Sequence, residues 1–121
     1  DAVIGPIAYD VACLLRDAFH SWPAAQADAW LAQYHARAQA AGLPVPALPR
    51  FAHDAALTGV QRHLKVMGIF ARLHHRDGKP KYLADAPRFL AYLDAVVPRD
   101  PALAPLGALL DRHVRPHLSA A

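Results

Sequence analysis

Apolar positions recur along this chain at helical spacing, and nowhere do they alternate every second residue as a half-buried strand requires. From about Tyr9 to Trp22 they fall at Val11, Leu14, Leu15, Ala18, Phe19 and Trp22, which predicts a first helix with one buried stripe. Asp10 stands near its start, where a carboxylate can accept backbone N–H bonds. Pro23 begins a second helix with Ala27, Trp30, Leu31, Tyr34, Ala38 and Ala41 on one stripe. Gly42 is placed to end that helix in a left-handed conformation. Leu43 to Pro49, LPVPALP, reads as a proline-stiffened connector. A third helix is predicted from about Phe51 to His75, stopping before Gly78, with Gly59 as a point where it can bend. Asp85 and Pro87 mark a fourth start, with Phe89, Leu90, Leu93 and Val97 on its buried side. Asp100 and Pro101 mark a fifth, carrying Leu103, Leu106, Leu109, Leu110 and Val114. The expected fold is all-α, about five helices, antiparallel where the loops are short.

The stretch from Gly59 to Asp77, GVQRHLKVMGIFARLHHRD, has two unlike faces. At roughly 100° per residue, Val60, Leu64, Met67 and Ala71 share one arc, with Val66, Phe70 and Leu73 beside it. Gln61, Arg62, Lys65, Arg72 and Arg76 gather on the opposite side. His63 and His74 project from the apolar side, where an imidazole needs a partner to offset its desolvation. Such a helix can hold structure with one face and meet a polar or anionic ligand with the other. A solvated cationic face is the plain alternative.

Composition narrows the class. The chain has 121 residues, 55% of them apolar and 19% charged, which is the balance of a folded domain able to bury a core. A net charge of +3 is too small to call for a nucleic-acid partner, and none is expected. No apolar run approaches the roughly 18 residues of a membrane span, and no secretory signal pattern is present, so no membrane partner is expected either. Cys13 is the single cysteine, which rules out an intrachain disulfide or a cysteine-based zinc site and suits a reducing cytoplasm. The chain opens at Asp1 and its one methionine is Met67. DAVIGPIAYD reads as loop running into helix, so a fragment of a longer polypeptide is expected.

Several short patterns suggest chemistry and then fail on spacing. His75-Arg76-Asp77 spells the HRD of protein kinase catalytic loops, but the asparagine required five residues after the aspartate is Tyr82 here. His63 and His74 lie about 16 Å apart along a helix, too far to share an ion. His113 and His117 have a chelating i, i+4 spacing interrupted by Pro116, and their plainer role is to place positive charge at a helix carboxyl end. Arg16 and Asp17 fall late in the first helix, with solvent exposure as the default for Arg16. Trp22, Trp30 and Tyr34 are read as core and not as a stacking platform. Ser21 and Ser119 are the only serines and neither sits in a nucleophile elbow, and no glycine-rich phosphate loop follows a strand. The residues by themselves describe a helical domain with a polar-ligand face and no complete catalytic machine.

Two stretches carry a resemblance. DAVIGPIAYDVACLLRDAF, followed in order by GVQRHLKVMGIFARLHHRDGKPKYL, resembles the carboxyl-terminal part of the aminoglycoside phosphotransferase family, which is related to protein kinases and choline kinases. Within that family it is most similar to the anomeric kinase branch that phosphorylates N-acetylmuramate and N-acetylglucosamine during cell-wall recycling. The resemblance covers nearly the whole chain, strongest over Asp1 to Trp22 and Gly59 to Leu83, and weak after Pro98. It implies an all-α carboxyl-terminal subdomain of a kinase-like large lobe, spanning residues 1–121. ATP and Mg2+ would serve the parent enzyme, and none is expected on this segment. A sugar would be the acceptor, with an aminoglycoside as the runner-up. The resemblance places Asp1 beside the metal site, not as a secure ligand, and Asp10 as a support for the catalytic loop through backbone N–H bonds. Arg16, Asp17, Gln61, Arg62, His63 and Lys65 are the candidate substrate-side residues. The catalytic aspartate, the metal aspartate and the nucleotide-binding lobe would lie upstream, so the segment alone is expected to be inactive. Faces that once met the missing lobe would then be open to self-association. The competing expectation is a stand-alone helical binding module.

Overall fold

The structure is a computed structural model that describes residues 3–118. Their regular elements are all helices, and the described residues contain no strand, as the spacing predicts. The α-helices are α1 (Tyr9–Leu15), α2 (Ala24–Ala40), α3 (Leu48–His75), α4 (Ala86–Val96), α5 (Ala104–His113) and α6 (Arg115–Leu118). The chain divides into two compact units, residues 1–62 and residues 63–121, each with its own core.

In the first unit α1 packs on α2, and the start of α3 closes the core. Ala8, Val11, Ala12 and Leu15 meet Leu31, Phe51 and Ala55 there. The predicted first helix is too long. α1 stops at Leu15, and Arg16 takes a non-helical backbone conformation. The cause is local: the Asp17 carboxylate accepts the backbone N–H of Phe19 at 2.9 Å and of His20 at 3.1 Å. A short polar side chain thus offers the backbone an alternative to the next helical turn. Phe19 consequently does not join the buried stripe and is 64% exposed, as is Leu14 at 66%. The buried stripe of α2 also runs differently from the expected one: Leu31, His35 and Ala38 are buried, whereas Ala41 is exposed.

The end of α2 behaves as predicted. Gly42 has φ +75°, Leu43 N–H donates to the Ala38 carbonyl and Gly42 N–H to the Gln39 carbonyl, both at 3.0 Å. These two bonds satisfy carbonyls that the helix end would leave open. The connector that follows is tied back by the buried His35, whose Nε2 lies 2.6 Å from the Pro46 carbonyl oxygen. Because a carbonyl only accepts, Nε2 carries the proton in that bond. α3 begins three residues earlier than expected, at Leu48, so Pro49 falls in its first turn, where a missing N–H costs nothing.

In the second unit Phe70, Phe89, Leu93, Val96, Val97 and Leu110 are buried. Phe70 meets Phe89 edge to face at 5.5 Å and 75°, a favoured geometry for aromatic pairs. Gly78, with φ +62°, follows α3 as expected. A 3-10 turn over Pro80–Asp85, absent from the sequence reading, leads into α4. The predicted fifth helix is broken. Short 3-10 turns at Val97–Arg99 and Pro101–Leu103 precede α5, and Val114 interrupts the path into α6. Prolines at 98, 101, 105 and 116 remove the N–H donors that one continuous helix would need.

Candidate functional site

Among the proposed substrate-side residues, exposure differs sharply. Gln61 and Lys65 are exposed on α3, and Arg62 is half-buried. His63 is only 2% exposed. Its ring stacks on Tyr92 at 4.5 Å with 10° between planes, and it lies 5.7 Å from Phe89. It therefore faces the core of the second unit, as its place on the apolar arc implies, and offers no open face to a ligand. Arg16 and Asp17 are half-buried and sit in the turn after α1 rather than within a helix, so the expected exposure of Arg16 is not found.

Asp10 is the second residue of α1 and is exposed. No side-chain cap hydrogen bond forms at that end, so the expected carboxylate-to-backbone bond is not made among the described residues. The reason is position: Ala8 is the capping residue, and Asp10 already lies inside the first turn, where its charge favours the helix dipole. Asp1 lies outside the described residues.

The HRD tripeptide has a structural use. Arg76 donates to the Asp77 carboxylate at 2.8 Å, and this bond holds the carboxyl below its usual range. A carboxylate paired in this way is a poor general base. His75, His113 and His117 line an apolar cavity of about 550 Å³ in the second unit, together with Leu64, Met67 and Leu110. Among the described residues no group of three or more His, Cys, Asp or Glu side chains could hold a metal ion. No helix among them is long and apolar enough to cross a membrane.

The first unit holds a second concavity, of about 380 Å³. One wall is a face of α2 built from Trp30, Gln33, Tyr34 and Arg37, at the i, i+3, i+4, i+7 positions that share one side of a helix. The other is Val11, Leu14 and Leu15 of α1 with Trp22 from the linker. Trp22 and Trp30 stand almost perpendicular, with ring centroids 5.0 Å apart and 83° between planes. Trp22 and Tyr34 are each 37% exposed, so these aromatic residues are not the closed core that their spacing alone suggests. The guanidinium of Arg37 and the amide of Gln33 have no hydrogen-bond or ion-pair partner among the described residues. The sequence carried a signal for this groove in the aromatic spacing of α2, but nothing local marked Arg37 as part of it.

Chains similar to this one are kinases of small sugars. Over 111 residues, 91% of this chain, it is 59% identical to a protein named N-acetylmuramate/N-acetylglucosamine kinase from Pseudomonas putida. Over the same length it is 55% identical to the protein of that name from Pseudomonas aeruginosa and 54% identical to the one from Neisseria meningitidis serogroup B. In each case the match covers 33% of the relative, so the chain spans about a third of the length of the curated relatives it matches. No family profile matches the chain. No solved structure matches it.

Proposed function

We propose that this chain is the substrate-side helical part of a small-molecule kinase of the aminoglycoside phosphotransferase type, one that transfers the ATP γ-phosphoryl group to a hydroxyl of an amino sugar. The observation that supports this reading is the 54–59% identity, over nine-tenths of the chain, to three proteins named N-acetylmuramate/N-acetylglucosamine kinase. The acceptor is N-acetylmuramate or N-acetylglucosamine, and the anomeric hydroxyl is the phosphorylated position. The segment is the carboxyl-terminal part of the parent enzyme. ATP and Mg2+ serve the parent enzyme and are held by residues outside this segment. In the parent, Asp10 sits beside the catalytic loop. Gln61, Arg62 and Lys65 on α3, and Arg16 and Asp17 after α1, are candidate substrate-side residues of the parent. The enzyme works in the cytoplasm, where ATP is available.

Phosphoryl transfer needs donor, metal and acceptor held together, so position accounts for most of the rate. The test compares two proteins for sugar-dependent ATP turnover. The full-length enzyme containing this segment is expected to phosphorylate both amino sugars, with turnover in the ordinary kinase range of about 1–100 s⁻¹. Residues 1–121 alone are expected to show none. Turnover by the segment alone, or failure of the full-length protein with both sugars, would sink the reading.

A further inference from the structure

Aromatic walls, an amide and a guanidinium, the last two without a partner among the described residues, come together in the groove between α1 and α2. Among the described residues some arginines pair with a carboxylate and others do not. Arg50 pairs with Asp54, Arg76 with Asp77, Arg88 with Asp85, and Arg115 with Asp94 and Asp111. Arg37, like Arg62, Arg99 and Arg112, pairs with no carboxylate among the described residues, and what sets it apart is the concave aromatic surface that it lines. Its place in the last turn of α2 suits the helix dipole, and that would hold at any exposed position. The dipole does not explain why Trp22, Trp30 and Tyr34 stay partly open beside it.

We infer that this groove seats the acceptor sugar, and that Arg37 reads the carboxylate that distinguishes N-acetylmuramate from N-acetylglucosamine. The inference rests on the amino-sugar kinase reading above. A pyranose ring has an apolar C–H face and a polar rim. Tryptophan and tyrosine faces suit the first, and two perpendicular indoles form a corner that fixes the ring's orientation. Gln33 both donates and accepts, which suits a hydroxyl or an acetamido group. The Arg37 fork matches a carboxylate through two parallel N–H bonds, a geometry that lysine cannot reproduce. At about 380 Å³ the groove falls in the size range of small-molecule sites. N-Acetylmuramate differs from N-acetylglucosamine by a lactyl ether ending in a carboxylate, so one cation at the groove's rim suffices to favour it.

The experiment is steady-state phosphorylation of both sugars by the full-length enzyme, as wild type, Arg37→Ala and Arg37→Lys. Loss of a charge-assisted bidentate contact should raise KM for N-acetylmuramate about tenfold more than KM for N-acetylglucosamine, with Arg37→Lys in between. Equal effects on the two sugars, or no effect on either, would overturn the assignment while leaving the kinase reading intact. If the wild-type enzyme turns over neither sugar, the kinase reading fails and binding alone decides the groove. Trp22 and Trp30 are the only tryptophans of this chain, so their fluorescence reports the groove directly. A saturable change on titrating N-acetylmuramate into the 121-residue chain, lost in Arg37→Ala, supports a sugar-acid site. No saturable change, or the same change in the variant, removes it. Circular dichroism of each variant separates lost binding from lost fold.

Discussion

Arg115 ties three helices together through one side chain. Its two terminal nitrogens bond Asp94 of α4, and its Nε donates to Asp111 of α5 at 2.6 Å, while Arg115 itself begins α6. The hydrogen bond from Arg115 holds the Asp94 carboxyl below its usual value of 3.8, despite the partial desolvation that opposes this. A carboxyl depressed in the folded state stabilises the fold above its unfolded value and loses that contribution as pH falls through the folded one. Arg115→Ala should therefore destabilise the chain by about 1 kcal/mol near pH 7, the upper end for exposed pairs because the fork is bidentate. The difference between wild type and variant should shrink below about pH 4, where Asp94 protonates. Urea midpoints at pH 7 and pH 3 check this, and a cost equal at both values would assign the effect to lost packing instead.

At the level of the element, helix ends were more legible than helix faces. Gly42 and Gly78 both stand where the sequence puts a stop, and both have positive φ. An alanine at Gly42 would meet no atom but would be held in the left-handed region, so Gly42→Ala should cost about 1–2 kcal/mol. A thermal melt of that variant checks it, and an unchanged midpoint would mean that the turn can relax. The end of α1 was not legible. Val11 to Trp22 keep a helical period, yet two backbone bonds to Asp17 stop the helix at Leu15. Periodicity registers where apolar residues fall and is blind to a side chain that captures the next N–H groups. The same blindness merged the 3-10 turn at Pro101–Leu103 and α5 into one expected helix.

Over the whole molecule, two units each hold a separate core, one around Phe51 and one around Phe89 and Leu93. Phe51 and Phe89 are fully buried, so truncation of either should cost about 3–5 kcal/mol. Amide exchange resolved by residue should separate them. Phe51→Ala is expected to lower protection in α1 and α2 more than in α4 and α5, and Phe89→Ala the reverse. Uniform loss of protection in both variants would show that the chain opens as one cooperative piece. The sequence by itself determined the all-α class, the positions of the two glycine stops and most of the buried faces, including Phe89 and Leu93. Those features follow from local spacing and backbone chemistry, which a linear pattern records. Only the tertiary structure decided that His63 stacks inward on Tyr92, 29 residues away in number, and that Arg115 reaches Asp94. It also decided that the aromatic face of α2 lines an open groove, with Arg37 beside it and without a partner among the described residues. Which of several amphipathic faces meets a neighbour depends on the other elements present, and helical period carries no information about them.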